Sequence, residues 1–154
     1  MRVYQKSNKD TLLVAYFPVC LSLNRGQKQE SGDMRTPESS LEEPFTICQI
    51  QASENWSHDF GDGRGPIKAY GEWFLRLKTG FNGIGIHGST NNESSVPGRA
   101  SEGCIRLRDE DIIILKEHFA FVGMSVIIKP ENERLFAFEK KCIESRLKEI
   151  NYQY

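Results

Sequence analysis

A histidine and a cysteine stand seventeen positions apart near the middle of this 154-residue chain, each where an apolar run meets a glycine. His87 follows Ile84-Gly85-Ile86 and precedes Gly88, while Cys104 follows Gly103 and precedes Ile105-Arg106-Leu107. A thiol at neutral pH is mostly protonated, so a working cysteine needs a base or a cation beside it. His87 is the candidate base, and Arg106 is a permanent cation two residues past the sulfur. Gly103 lets the backbone turn sharply there, leaving the amides of Gly103 and Cys104 free to face a developing oxyanion. Taken singly, a cysteine is more often a small buried hydrophobe and a histidine a satisfied polar residue. Their pairing within one glycine-bracketed stretch is what points to nucleophilic chemistry.

Short strands and one helix must hold these residues. Met1–Gln5 and the apolar run Leu12–Ser22 are expected as a hairpin across the turn formers Ser7-Asn8-Lys9-Asp10, with Pro18 marking an edge or bulge. Residues 24–40 read as loop. Phe45–Ile50 and Gly71–Leu77 are expected strands, joined by a long connection, Gln51–Tyr70. Its aromatics Trp56, His58 and Phe60 either wall a substrate or pack the loop onto the sheet. Ile84-Gly85-Ile86 brings His87 off a strand end, residues 91–100 form a polar loop, and Ser101–Leu107 carries the cysteine. Asp109 or Asp111 is expected to cap a helix whose inner face includes Ile112, Leu115 and Phe119. Met124–Lys129 is a further strand. From Glu131 onward, Leu135, Phe138, Cys142, Ile143, Leu147 and Ile150 recur at helical steps, giving an amphipathic helix of about five turns.

Composition narrows the function. A net charge of −1 gives no basic excess for a general nucleic-acid or anionic-membrane binder. No stretch is long and apolar enough to span a bilayer. Arg2, Lys6 and Lys9 ahead of Leu12–Leu23 mimic a signal peptide, but Pro18 and the lack of a small-residue cleavage site favour a strand. A protein working outside the cytoplasm would then have its export signal removed or upstream. The four cysteines, Cys20, Cys48, Cys104 and Cys142, form no CxxC pair. His58, His87, His118 and Cys104 match no zinc spacing. Gly61-Asp62-Gly63-Arg64-Gly65-Pro66 lacks the Gly-Lys-Ser/Thr of a phosphate loop.

His87-Gly88-Ser89-Thr90, a polar loop, then Ser101-Glu102-Gly103-Cys104-Ile105-Arg106-Leu107 and an acidic helix start resembles the signature of the L,D-transpeptidase catalytic domain, the YkuD-like family. Gly32-Asp33-Met34-Arg35-Thr36-Pro37-Glu38 is similar to a further segment of that family, with Ser39 where glycine is usual. The resemblance covers roughly residues 1 to 129. It implies a mainly β fold, a β-sandwich cupping one short helix, with the C-terminal amphipathic helix outside it. Residues 1–130 are expected as the catalytic domain and 131–154 as a helical extension.

The resemblance also implies a reaction. Cys104 attacks the carbonyl of a diamino acid in a peptidoglycan stem peptide, releases terminal D-alanine, and passes the acyl group to the amine of a second stem. His87 moves the protons. The carbonyl of Gly88 orients the imidazole, with Ser89 as the nearest side-chain alternative. Arg106 either lowers the thiol pKa or binds a substrate carboxylate, against a structural ion pair with Asp109 as the plain reading. Glu102 stands where many members have histidine, and its carboxylate is a candidate for the ammonium of the diamino acid. Ser101, Tyr70 and Trp73 complete the substrate-binding candidates. No metal or organic cofactor is implied. Carbapenem-type β-lactams are implied as covalent inhibitors, and the chain is taken as a monomer at the bacterial cell envelope. The same thiol with water as acceptor would make an L,D-carboxypeptidase or amide hydrolase. A wall-binding module that keeps the fold without catalysis is the rival of another class.

Overall fold

The computed structural model describes residues 1–151. In chain order the elements are β1 (Arg2–Lys6), β2 (Thr11–Tyr16), β3 (Cys20–Ser22), β4 (Phe45–Ala52), β5 (Ser57–His58) and β6 (Ile67–Lys68). Then follow β7 (Trp73–Lys78), β8 (Gly85–His87), β9 (Gly98–Ser101), β10 (Ile105–Arg106), α1 (Asp109–His118), β11 (Ser125–Val126) and α2 (Ala137–Asn151). The fold is mainly β, with a curled sheet and two helices.

The chain divides into two compact units, one made of Met1–Phe17 with the stretch from Asn132 onward, the other Pro18–Glu131. In the first, β1 and β2 pair antiparallel. Tyr4 meets the Phe138 ring edge-on at 5.4 Å. Glu139, 4% exposed, accepts from Arg2 Nε at 3.3 Å and from the Tyr4 hydroxyl at 3.2 Å. The Cys142 thiol donates to the Thr11 carbonyl at 2.8 Å. The expected apolar face of α2 is only partly used, because Cys142 is buried while Leu147 and Ile150 are 55% and 46% exposed.

The second unit is built on a seven-stranded mixed sheet in the order β11-β4-β7-β8-β10-β3-β9. β8 with β10 and β3 with β9 are parallel, and the other pairs are antiparallel. The core gathers Ile47, Leu75, Ile86, Leu107 and Ile112, all 2% exposed or less. β8 is buried along its whole length, as a central strand covered on both faces should be. Helix α1 lies against β7 and β8 through Ile112 and Leu115.

Three expectations are corrected. The run Leu12–Ser22 is not one strand: it ends at Tyr16, and β3 resumes at Cys20 in a different sheet. Pro18 has no amide to give to a ladder, which breaks the strand there. The connection from Gln51 to Tyr70 holds its own small hairpin, β5 with β6. The polar loop 91–100 carries a short 3-10 turn at Glu93–Ser95 and most of β9.

Candidate functional site

Parallel pairing of β8 with β10 sets the site. Ile105 lies opposite Ile86 and Arg106 opposite His87. The residue just before β10, Cys104, therefore arrives beside Gly85, and a Gly85 backbone hydrogen bond helps stabilise its thiolate. Cys104 and His87 line one cleft of about 470 Å³.

Gly103 takes φ +146°, and a Cβ there would come 2.9 Å from the Arg35 carbonyl, so glycine is required at this turn. Ser101, 1% exposed, staples the turn. Its hydroxyl donates to the Cys104 carbonyl at 2.5 Å and accepts the Gly103 amide at 3.3 Å. The Gly103 amide, expected to be free for an oxyanion, is thus engaged by Ser101. Ser101 itself borders the cleft but spends its hydroxyl on the backbone.

His87 is 4% exposed, between the rings of Tyr70 at 4.8 Å and Phe74 at 5.6 Å. Its Nδ1 lies 2.7 Å from the Gly88 carbonyl oxygen. A carbonyl oxygen only accepts, so Nδ1 carries the hydrogen and Nε2 presents a lone pair. Burial, reinforced by the Arg106 charge and opposed by the Gly88 bond, lowers the His87 pKa to about 3. Burial likewise raises the Cys104 pKa to about 11, against the pull of the Gly85 hydrogen bond and of Arg106 and Arg76. At neutral pH both groups are uncharged. The thiol at rest donates to the Gly83 carbonyl at 3.2 Å.

The Gly88 carbonyl is itself held. The Gly88 amide donates to Tyr70 O at 2.7 Å, and the Ser89 amide donates to Asp109 Oδ1 at 2.7 Å. A Cβ on Gly71, which has φ +68°, would come 2.9 Å from both Gly88 Cα and Asp109 Oδ1. Asp109 therefore does not cap α1; the N-cap is Arg108, with no side-chain cap bond, and Asp109 clamps the turn after His87 instead. Ser89 Oγ is buried and has no hydrogen-bond partner among the described residues.

Arg106 is 5% exposed and makes no ion pair with Asp109. Its Nη1 reaches Ser95 Oγ at 3.3 Å, and its guanidinium lies 5.4 Å from the centre of the Phe60 ring. Among the described residues no carboxylate neutralises it, which leaves a desolvated cation facing the cleft. Glu102 accepts from, or shares a proton with, His58 at 2.8 Å. Burial of Tyr70, with the nearby Cys104 and Glu102, raises its hydroxyl pKa.

The structure brings Cys104, His87, Arg106, Glu102, Ser101, Gly103 and Tyr70 to the same cleft, with Gly88 directly behind His87. It does not bring Trp73 there. Strand residues alternate, so Phe74 and Arg76 face the cleft while Trp73 points to the other side, under Lys116 Nζ at 4.0 Å. Arg76 is a further cation lining the cleft, and only this strand alternation signals it in the sequence. The hairpin β5–β6 contributes His58, and Trp56 and Phe60 flank it on the same wall. Lys28 and Met34 form part of another wall. Lys28 bonds Asp33 at 2.7 Å, and that carboxylate also accepts the amides of Gln29, Glu30 and Arg35.

All four cysteines are free. No cluster of three metal-binding side chains is found among the described residues. No helix of the described residues is long and apolar enough to cross a membrane.

Comparison with known proteins agrees with this geometry. Residues 1–128 match the family model of the L,D-transpeptidase catalytic domain, YkuD. No curated protein matches the chain. Among solved structures, an L,D-transpeptidase from Mycobacterium smegmatis is similar in fold, with a TM-score of 0.53 at 17% identity, over 76% of this chain and 49% of that one. The match thus spans about half the length of that protein. With a family model covering most of its length and a curled sheet that places Cys104 and His87 in one cleft, this chain belongs to the L,D-transpeptidase catalytic-domain family.

Proposed function

We propose that this protein is a cysteine L,D-transpeptidase acting on peptidoglycan stem peptides at the bacterial cell envelope. The observation that carries the reading is His87: a buried, neutral imidazole with Nδ1 fixed on the Gly88 carbonyl and Nε2 unprotonated, in the same cleft as a thiol. Family membership supports it.

Because the thiol pKa is raised and the imidazole pKa lowered, a standing thiolate–imidazolium pair is not the resting state. The proton leaves Sγ as the C–S bond forms. The thiol turns from Gly83 O, His87 Nε2 takes the proton, and sulfur adds to the carbonyl carbon of the diamino acid. Negative charge develops on the carbonyl oxygen, and the Cys104 amide is the remaining donor at this turn. The tetrahedral centre collapses with cleavage of the C–N bond, and His87 returns the proton to departing D-alanine. A thioester on Cys104 remains. The amine of a second stem attacks it, forming a new amide and freeing the thiol. Arg106 and Arg76 supply positive charge that favours the thiolate character of the transition state, and either can take a substrate carboxylate.

Incubation with purified disaccharide-tetrapeptide, followed by product analysis, tests this. Free D-alanine with a crosslinked dimer, both lost in Cys104→Ala, is expected. Tripeptide without dimer would place the protein with the L,D-carboxypeptidases. No turnover would favour a wall-binding module. A carbapenem is expected to add its mass to Cys104.

A further inference from the structure

His58 and Glu102 form an imidazole–carboxylate pair in the cleft, separate from His87, whose imidazole rests on a backbone carbonyl. Glu102 lies two residues before the nucleophile on the catalytic turn, while His58 ends β5 on the hairpin that walls the cleft. The two side chains meet at 2.8 Å through His58 Nε2, and both are partly open to solvent, at 34% and 42% exposed. His58 Nδ1 makes no hydrogen bond among the described residues. The imidazole is held at a fixed pose, edge-on to Phe60 at 4.5 Å, and Phe60 in turn lies 5.4 Å from the Arg106 guanidinium.

The two imidazoles differ in what each can do. His87 is buried and sheltered from solvent, suited to shuttle one proton between sulfur and substrate. It is poorly placed to hold a proton taken from a cationic acceptor, since burial and Arg106 both oppose its charge. An acceptor amine reaches the enzyme as an ammonium and must lose a proton before it has a lone pair to attack with. His58 is open to solvent, can pass a proton out, and has Nε2 engaged by a carboxylate, which leaves Nδ1 to face an incoming group.

The geometry points to the His58–Glu102 pair as the acceptor-side base of the transfer step. This rests on the transpeptidase reading and assigns its second half-reaction. The acceptor ammonium gives one proton to His58 Nδ1. The freed lone pair forms the C–N bond at the thioester carbonyl. As the C–S bond breaks, the second proton on that nitrogen passes through His87 to sulfur, restoring the thiol. His58 releases its proton to water, so the sum is an ammonium and a thioester converted to an amide, a thiol and one proton. Glu102, rather than serving only as an ion partner for substrate, orients the base through its 2.8 Å contact with Nε2.

The test separates the two half-reactions in His58→Gln and Glu102→Gln, with disaccharide-tetrapeptide as donor and acceptor. Intact mass spectrometry gives the rate of Cys104 acylation. Product analysis gives the ratio of crosslinked dimer to hydrolysed tripeptide. His58→Gln is expected to lower that ratio tenfold or more, within the range of general-base effects, with acylation falling by less. Glu102→Gln, an exposed change with little risk to folding, is expected to lower the ratio in the same direction. An unchanged ratio in both variants would overturn the assignment, as would acylation falling in step with transfer, which would make the hairpin a structural wall only. A wild-type protein that acylates but yields tripeptide alone would also overturn it. A wild-type protein that never acylates would overturn the transpeptidase reading itself, a distinct result.

Discussion

Asp109 accepts a 2.6 Å hydrogen bond from the Thr90 hydroxyl, tying the first residue of helix α1 to the turn that follows His87. The same carboxylate takes the Ser89 amide, so the chain on the far side of the Gly88 carbonyl is pinned to the helix. The carbonyl in turn fixes the His87 tautomer. A helix start thus governs an imidazole it does not touch.

Asp109→Ala should release this clamp. Two hydrogen bonds to a charged group are lost, and by ordinary magnitudes the fold should weaken by about 3 kcal/mol. Turnover should fall at least tenfold as His87 loses its fixed tautomer. Thermal melts and steady-state rates on the same preparation check both. Asp109→Asn, which keeps one acceptor oxygen, should fall between.

The neutral state of His87 sets an acid-side stability slope. Its folded pKa is lowered from 6.5 to about 3, so between those values the unfolded chain binds a proton that the folded chain refuses. Stability from this group is full above pH 6.5 and is lost as pH falls, at about 1.4 kcal/mol per pH unit. Urea titrations from pH 7 to pH 4 should show a shallower slope for His87→Gln than for the parent.

Cys104 should alkylate slowly at neutral pH. Its thiol is raised from 9.0 to about 11 by burial, so iodoacetamide rates should keep climbing through pH 9, where a free thiol has begun to level. Arg106 partly offsets that burial, so Arg106→Gln should push the inflection higher still. Cys48, exposed, is the internal comparison, read by peptide mapping.

Gly71→Ala tests the close approach behind the site. The position has φ +68°, and the new methyl would press on Gly88 Cα and the Asp109 carboxylate at 2.9 Å. Strain of about 1–3 kcal/mol is expected, with loss of activity out of proportion to loss of stability. Gly80→Ala shares the positive φ but has open space around its Cβ, and should lose stability only.

The grouping of Gly103, Cys104 and Arg106 at one turn was legible in sequence because it depends on local features. Gly103 has to be glycine at its own φ, and Cys104 and Arg106 travel with it on one turn. The partnership of β8 and β10 was not legible, since parallel neighbours are joined by tertiary packing and not by a turn signal. Asp109 and Asp111 both read as candidate helix caps because acidic residues favour that place, yet neither side chain caps α1, and tertiary contact gave the Asp109 carboxylate another use. Trp73 read as a cleft aromatic, and strand alternation put Phe74 there instead. The clustering of the β1–β2 hairpin with α2 joins the two ends of the chain, which no linear pattern displays.

That Cys104 is the nucleophile of an acyl transfer is tested most directly by intact-protein mass spectrometry during turnover of disaccharide-tetrapeptide. A transient adduct equal to the donor minus D-alanine, mapped to the Cys104 peptide and absent in Cys104→Ala, is expected. Release of D-alanine by the Cys104→Ala variant at the parent's rate, or an adduct mapped to another residue, would contradict it.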